Sequence, residues 1–219
     1  MKRITFNIRS GSKGQSFVEL SLIALLLMLL VAGIAEFGVL LNHYLNLLDG
    51  VREAARFGAN YDPFAACFDA AGVFDADNVC NEFYQSAALE AKNVISPIVL
   101  DPAKGDDIVL SFFTVAGDPA TCVRQITKYP TYENGYSWSE KGDGNWLGNG
   151  TRNKESQQTI LTIQSKMDSC APPVSVFLVE VFYNYPQTLR APFYEQVFPD
   201  PIPVYIYAIM PLKSVTIPP

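Results

Sequence analysis

The residues best placed to do chemistry near the start of this chain are two carboxylates in an apolar run. Lys13 to Leu41 reads KGQSFVELSLIALLLMLLVAGIAEFGVLL, with Glu19 near its leading edge and Glu36 near its far edge. Between them, from Leu20 to Ala35, there is no charged residue. A glutamate inside a membrane helix costs about 2.5–3.5 kcal/mol at the bilayer centre and less near an interface. Glu19 is therefore either solvated by headgroups or matched by a cation when helices pack. Glu36 has two readings of the same kind: it meets Arg or Lys of a partner subunit, or it marks where the membrane ends. Gly14 leaves the backbone unobstructed for a peptidase acting before the apolar run, and Gln15 would be the new first residue. An ordinary secretory signal does not fit, because the run is too long and no A-x-A-like site follows at a suitable distance.

Other chemistry is sparse. The one histidine, His43, lies beyond Glu36 and has neither a nucleophile nor an orienting carboxylate beside it in sequence. Cys67, Cys80, Cys122 and Cys170 form no CxxC, and their wide spacing disfavours zinc. An even count in an oxidising compartment favours two disulfides over free buried thiols. Of the three pairings, Cys67–Cys80 and Cys122–Cys170 close the shortest loops. DADN (75–78) and GDGNWLGN (142–149) alternate oxygen donors but lack the ligand spacing of an EF-hand, so turn chemistry accounts for them. Neither a cofactor nor a metal is expected, and no catalytic activity.

The elements that position these residues follow from length and charge. Of 219 residues with net charge −6, the first fourteen carry Lys2, Arg3, Arg9 and Lys13 and no acid, so the remainder carries −10. Phe17 to Leu41 is about 25 residues, long enough to cross a bilayer with some tilt. The basic leader then stays cytoplasmic and the acidic bulk is exported. An acidic ectodomain argues against nucleic acid as partner. The organisation predicted is a leader over 1–14, a membrane and assembly helix over 15–60, and an exported domain over 61–219.

Helical periodicity continues past the membrane, with Leu41, Leu45, Leu48, Val51 or Arg52, Ala55 and Ala59 as the apolar stripe. The helix should run from Gln15 to about Gly58, roughly 65 Å, with Gly11, Ser12 and Gly14 keeping the leader non-helical. Pro63 forbids continuation. A second helix is predicted near Asn81–Ser96, closed by Pro97. Strands are predicted at 108–115, 122–129, 159–164, 174–185 and 203–210, from their β-branched and aromatic content. A polar loop at about 130–157 separates the second from the third. The fold class expected is α+β: a long N-terminal helix, then a small domain with a second helix and an antiparallel sheet.

The stretch KGQSFVEL resembles the processing site of type IV prepilins, where the cut follows glycine and the fifth mature residue is glutamate. Cutting after Gly14 makes Glu19 that residue. GIAEFG (33–38) followed by REAAR (52–56) is similar to the TadE-like pseudopilins of the tight-adherence (Flp) pilus system, with Ala54 where glycine is common. VEVFYNYP (179–186) and the Pro-Phe-Tyr after it are more weakly similar. The resemblance covers residues 11 to about 59. It implies a minor pseudopilin in the bacterial cytoplasmic membrane that assembles or primes a filament. Its implied partners are a prepilin peptidase, other pilin subunits and the assembly platform. It also implies that Glu19 pairs with a freed amine at Gln15, and that Arg52, Glu53 and Arg56 form a family-like helix end. The competing reading is a tethered extracellular binding or adhesion domain, with Tyr136, Trp138 and Trp146 as its contact surface.

Overall fold

A computed structural model of the chain describes residues 13–61, 79–117, 124–129, 138–139, 174–189 and 199–212. Helix α1 spans Lys13–Asn60, 48 residues without a proline, and is therefore about 72 Å long. It starts two residues earlier than predicted. Gly14 stands in its first turn, because propagation back from the leucine-rich run outweighs the ~1 kcal/mol that glycine costs a helix. Helix α2 spans Val79–Ile95 and ends before Ser96-Pro97. A short 3-10 turn, Pro102–Lys104, follows; the Asp101 carboxylate accepts from Ala103 N–H at 3.0 Å, and Gly105 closes it at φ 92°. That positive φ is left-handed backbone, which glycine adopts without a Cβ clash.

The strands are β1 (Asp107–Gly117), β2 (Arg124–Tyr129), β3 (Trp138–Ser139), β4 (Val174–Tyr185) and β5 (Ile202–Pro211). They form one antiparallel sheet in the order β2-β1-β4-β5, with β3 also pairing β1. The class is α+β, as the sequence pattern implies. Register sets the faces: Ile108 opposes Val181, Leu110 opposes Val179, and Phe112 opposes Phe177. Val181 in turn opposes Ile206, and Tyr185 opposes Ile202. Because side chains alternate along a strand, these residues share one face, and α1 and α2 cover it.

The helices reach that face closely through small residues. Gly50, Ala54, Ala55, Gly58 and Ala59 of α1 are buried, as are Ala87, Ala88 and Ala91 of α2. A Cβ on Gly58 would strike the Phe177 ring, and one on Gly50 would strike Ile95 and lie 3.0 Å from the Ala91 carbonyl. Phe83, Tyr84, Phe112 and Phe177 fill the space between helices and sheet, with Phe83 edge-on to Phe177 at 5.7 Å. Such edge-to-face pairs add about 0.5–1.5 kcal/mol beyond area burial.

Two expectations need correction. Of the predicted stripe of α1, Val51, Ala55 and Ala59 are buried and Leu48 packs partly buried against the core, whereas Leu41 and Leu45 are about half exposed; in that stretch the inward positions are Glu36, Leu40, His43 and Leu47. Leucines line both sides of this segment, and only contact with the sheet selects one. The polar segment 130–157 also contains β3. There Ser139 is buried and its Oγ donates to Asp107 Oδ2 at 2.6 Å, so two residues of the insert are part of the sheet. The strand predicted at 159–164, Tyr136, Trp146 and the four cysteine side chains lie outside the described residues.

Replacing Gly58 with valine overpacks the α1–β4 contact and should lower stability by about 1–3 kcal/mol. That is a fall of roughly 2–4 °C in melting temperature for each kcal/mol. Gly38, which has nothing within 4 Å of a Cβ, should accept alanine without loss. Thermal melts of the detergent-solubilised chain, followed by near-UV circular dichroism, check both.

Candidate membrane and assembly helix

Residues 14–35 of α1 have no buried member. Leu26 is 68% exposed and Met28 73%. These 22 residues extend about 33 Å, against a hydrocarbon core of about 30 Å, so α1 has one segment long and apolar enough to cross a membrane. Its polar groups are satisfied locally. Ser21 Oγ donates to the Phe17 carbonyl at 2.8 Å, one turn back, which removes a hydroxyl from apolar surroundings. Gln15 Nε2 donates to Glu19 Oε1 at 3.2 Å, again over one turn. Gly14, Gln15 and Glu19 are thus brought together on the first two turns of one helix, all exposed.

Glu36 is the first buried residue of α1. Its Oε1 accepts from the Tyr185 hydroxyl at 2.9 Å and from Thr188 N–H at 2.8 Å. Its Oε2 accepts from Leu189 N–H at 2.9 Å. Two backbone donors and a phenol converge on one carboxylate, across about 150 residues of sequence. Charge-assisted bonds of this kind are the strong ones. Tyr185 is itself fully buried and lies within 3.0 Å of Thr188 Oγ1. Burial, joined by the bond to Glu36 and opposed by Thr188, holds its phenol above the usual range, which keeps it a donor. His43, two turns along, packs edge-on against Tyr185 at 5.2 Å, and its Nδ1 is 3.4 Å from the Tyr183 hydroxyl. The chain's one histidine therefore sits between two tyrosines of β4.

The helix end differs in character. Arg52 pairs with Asp49 at 3.8 Å, and Arg56 pairs with Glu53, all one turn apart and on the solvent side. Surface pairs like these contribute little individually. Between them Ala54 and Ala55 are fully buried. The arginines of REAAR thus face outward and its alanines carry the packing.

One cleft, of about 510 Å³, opens where β4 ends, lined by Asp101, Lys104, Asp106, Tyr183, Asn184 and Asp200 among others. Its carboxylates are already engaged. Asp106 accepts from Asp101 N–H at 2.9 Å and Asn184 N–H at 2.8 Å, Asp101 meets Lys104 at 3.2 Å, and Asp200 accepts from Gln187 N–H at 3.3 Å. Among the described residues no group of three or more His, Cys, Asp or Glu is placed to hold a metal.

With this geometry in view, residues 14–56 match the family of TadE-like proteins. Over these residues the chain is similar to TadE-like proteins. The match begins at the glycine before Gln15 and ends at Arg56, so it takes in the bare span, Glu36 and REAAR but nothing of the sheet. No curated protein and no solved structure matches the chain. Within the matched residues α1 holds the one segment, among the described residues, that is long and apolar enough to anchor the chain in a membrane.

Sequence reasoning singled out Glu36 but not what holds it. Thr188 and Leu189 act through backbone N–H groups, which leave no trace in residue type. Tyr185 lies in VEVFYNYP, and the structure joins that stretch to GIAEFG through one hydrogen bond.

Glu36→Ala removes the acceptor of three donors and should weaken this docking by about 1–3 kcal/mol. In native-state hydrogen exchange, the amides of Thr188 and Leu189 should then exchange roughly 5- to 150-fold faster. Glu36→Gln, which keeps one acceptor oxygen, should fall between Glu36→Ala and the unchanged chain.

Proposed function

We propose that the protein is a minor pilin or pseudopilin that helps assemble or prime a Tad/Flp-type pilus and is cut after Gly14 by a prepilin peptidase. The observation that carries this reading is the state of α1: a bare apolar span, with Glu19 one turn from Gln15, continuous with a helix packed on a folded domain. A simple tether needs neither that carboxylate nor an unbroken helix. Removal of residues 1–14 creates an ammonium at Gln15 one turn from Glu19, where the Gln15 amide side chain already reaches it. In an apolar surround an ion pair of this kind is costly when half made, so it penalises wrong register more than it stabilises the right one.

The outward side of α1 supports lateral packing. From Phe37 to Leu48 there is no Asp, Glu, Lys or Arg, and Phe37 is 64% exposed, Leu41 45% and Leu45 50%. This stripe lies beyond the bilayer core, where lipid tails do not cover it, and neighbouring subunit helices would. The partners are then other pilin subunits and the assembly platform, with the N-terminus cytoplasmic and the domain outside.

Mass spectrometry of the N-terminus from native membranes should find a peptide beginning at Gln15. A chain that keeps Met1 or Lys2 contradicts the processing step and leaves a tethered domain as the better account. Glu19→Ala should leave export unchanged and abolish incorporation into filaments, measured in sheared pilus fractions. Ordinary incorporation would rule out the role given to Glu19.

A further inference from the structure

We infer that the turn at Pro186–Leu189 is a second membrane contact, seated on the outer-leaflet headgroup region beside the exit of α1. The inference rests on α1 spanning the membrane and is independent of any filament.

Height along α1 carries it. The bare segment ends at Ala35, about 33 Å from Gly14, so Glu36 stands at the outer boundary of the hydrocarbon. Glu36 binds the amides of Thr188 and Leu189 directly. Those two residues are thereby held at the same boundary, within a side chain's reach of the helix. They are not turned inward: Leu189 is 47% exposed, and Pro186 and Thr188 are exposed too. Phe37, next to Glu36, is 64% exposed at the same level.

The connection is also closed at its neck. Gln187 donates through its backbone N–H to Asp200 and through Nε2 to the Pro199 carbonyl at 3.1 Å. The chain therefore leaves β4 and returns toward β5 near this level, and the part beyond the neck begins with Thr188 and Leu189.

The chemistry of this turn suits a lipid headgroup layer. Exposed apolar side chains beside a bilayer boundary partition into the interface, where aromatic and amphipathic residues concentrate. The turn itself, Pro186 to Leu189, carries no charged residue. On the opposite, upper side of the sheet, Tyr207 pairs with Glu180. That is five residues above Tyr185, or about 17 Å along the strand, and out of headgroup reach.

The test uses the full unmodified chain in vesicles of phosphatidylethanolamine and phosphatidylglycerol doped with a phospholipid bearing a diazirine at its headgroup. After illumination, labelled peptides are mapped by mass spectrometry. Label is expected on α1 around residues 34–37 and on residues 186–189, with none at Tyr207. Label on α1 without label at 186–189 overturns the inference and leaves the spanning helix intact. Absence of label from α1 overturns the spanning reading itself. In Glu36→Ala the label at 186–189 should drop at least about fivefold while that on α1 persists, since the turn has lost its tether. An unchanged yield at 186–189 shows that Glu36 does not seat the turn, and also overturns the inference.

Discussion

A helix that runs unbroken from a bare apolar span into a folded domain has to meet protein at a definite residue, and in α1 that residue is Glu36. On its N-terminal side no described side chain is buried; on its C-terminal side one stripe belongs to the sheet. No loop separates the two regimes, so the domain cannot adjust its height or rotation independently of the helix. The carboxylate that marks the change also makes the first contact, through Tyr185, Thr188 and Leu189. Every later contact along α1, from His43 to Gly58, falls in phase with it.

The rigidity of that coupling comes from small residues. Gly50 and Gly58 bring α1 to a distance from Ile95 and Phe177 that no larger side chain permits, and the buried alanines of both helices extend the seam. Close backbone approach multiplies dispersion contacts that are individually weak. It also gives the REAAR end a physical meaning: its alanines seat the helix, while Arg52 and Arg56 pair with acids one turn away and keep the outer side solvated. A glycine at position 54 would serve the same purpose as Ala54, which is fully buried.

What was legible in the sequence was what depends on local period and composition. The span, α2, β1, β4 and β5 each sit within a few residues of the places predicted, because leucine-rich and β-branched runs declare themselves over ten or more residues. What was not legible depends on tertiary choice. Leucines at 40, 41, 45, 47 and 48 allow two inward stripes, and only the sheet decides between them. The strand at Trp138–Ser139 is too short to show a period, and its anchor is a buried hydroxyl–carboxylate bond between residues 32 apart. At Glu36 the residue stood out, but its partners are mostly backbone and lie some 150 positions away. The spacing of Gly14, Gln15 and Glu19 is different: it is local, and its full geometry is already in the sequence.

The use of a glutamate at position 36, where an apolar residue would extend the span smoothly, follows from the same constraint. A carboxylate cannot enter the hydrocarbon without several kcal/mol of cost, so it fixes how far α1 can sink. It cannot be buried by protein either unless donors meet it, so it also fixes where the domain docks. An apolar side chain would satisfy neither condition sharply, since one turn of sliding, about 5.4 Å, would cost it little. The cradle formed by Thr188 and Leu189 meets both demands at one depth only. Glu19 stands under the same rule at the other end of the span, with one difference: its donor within this chain is a side chain amide on the surface of a bare helix. The carboxylate at 36 is completed by folding across the chain, and the one at 19 is met by a side chain of its own helix.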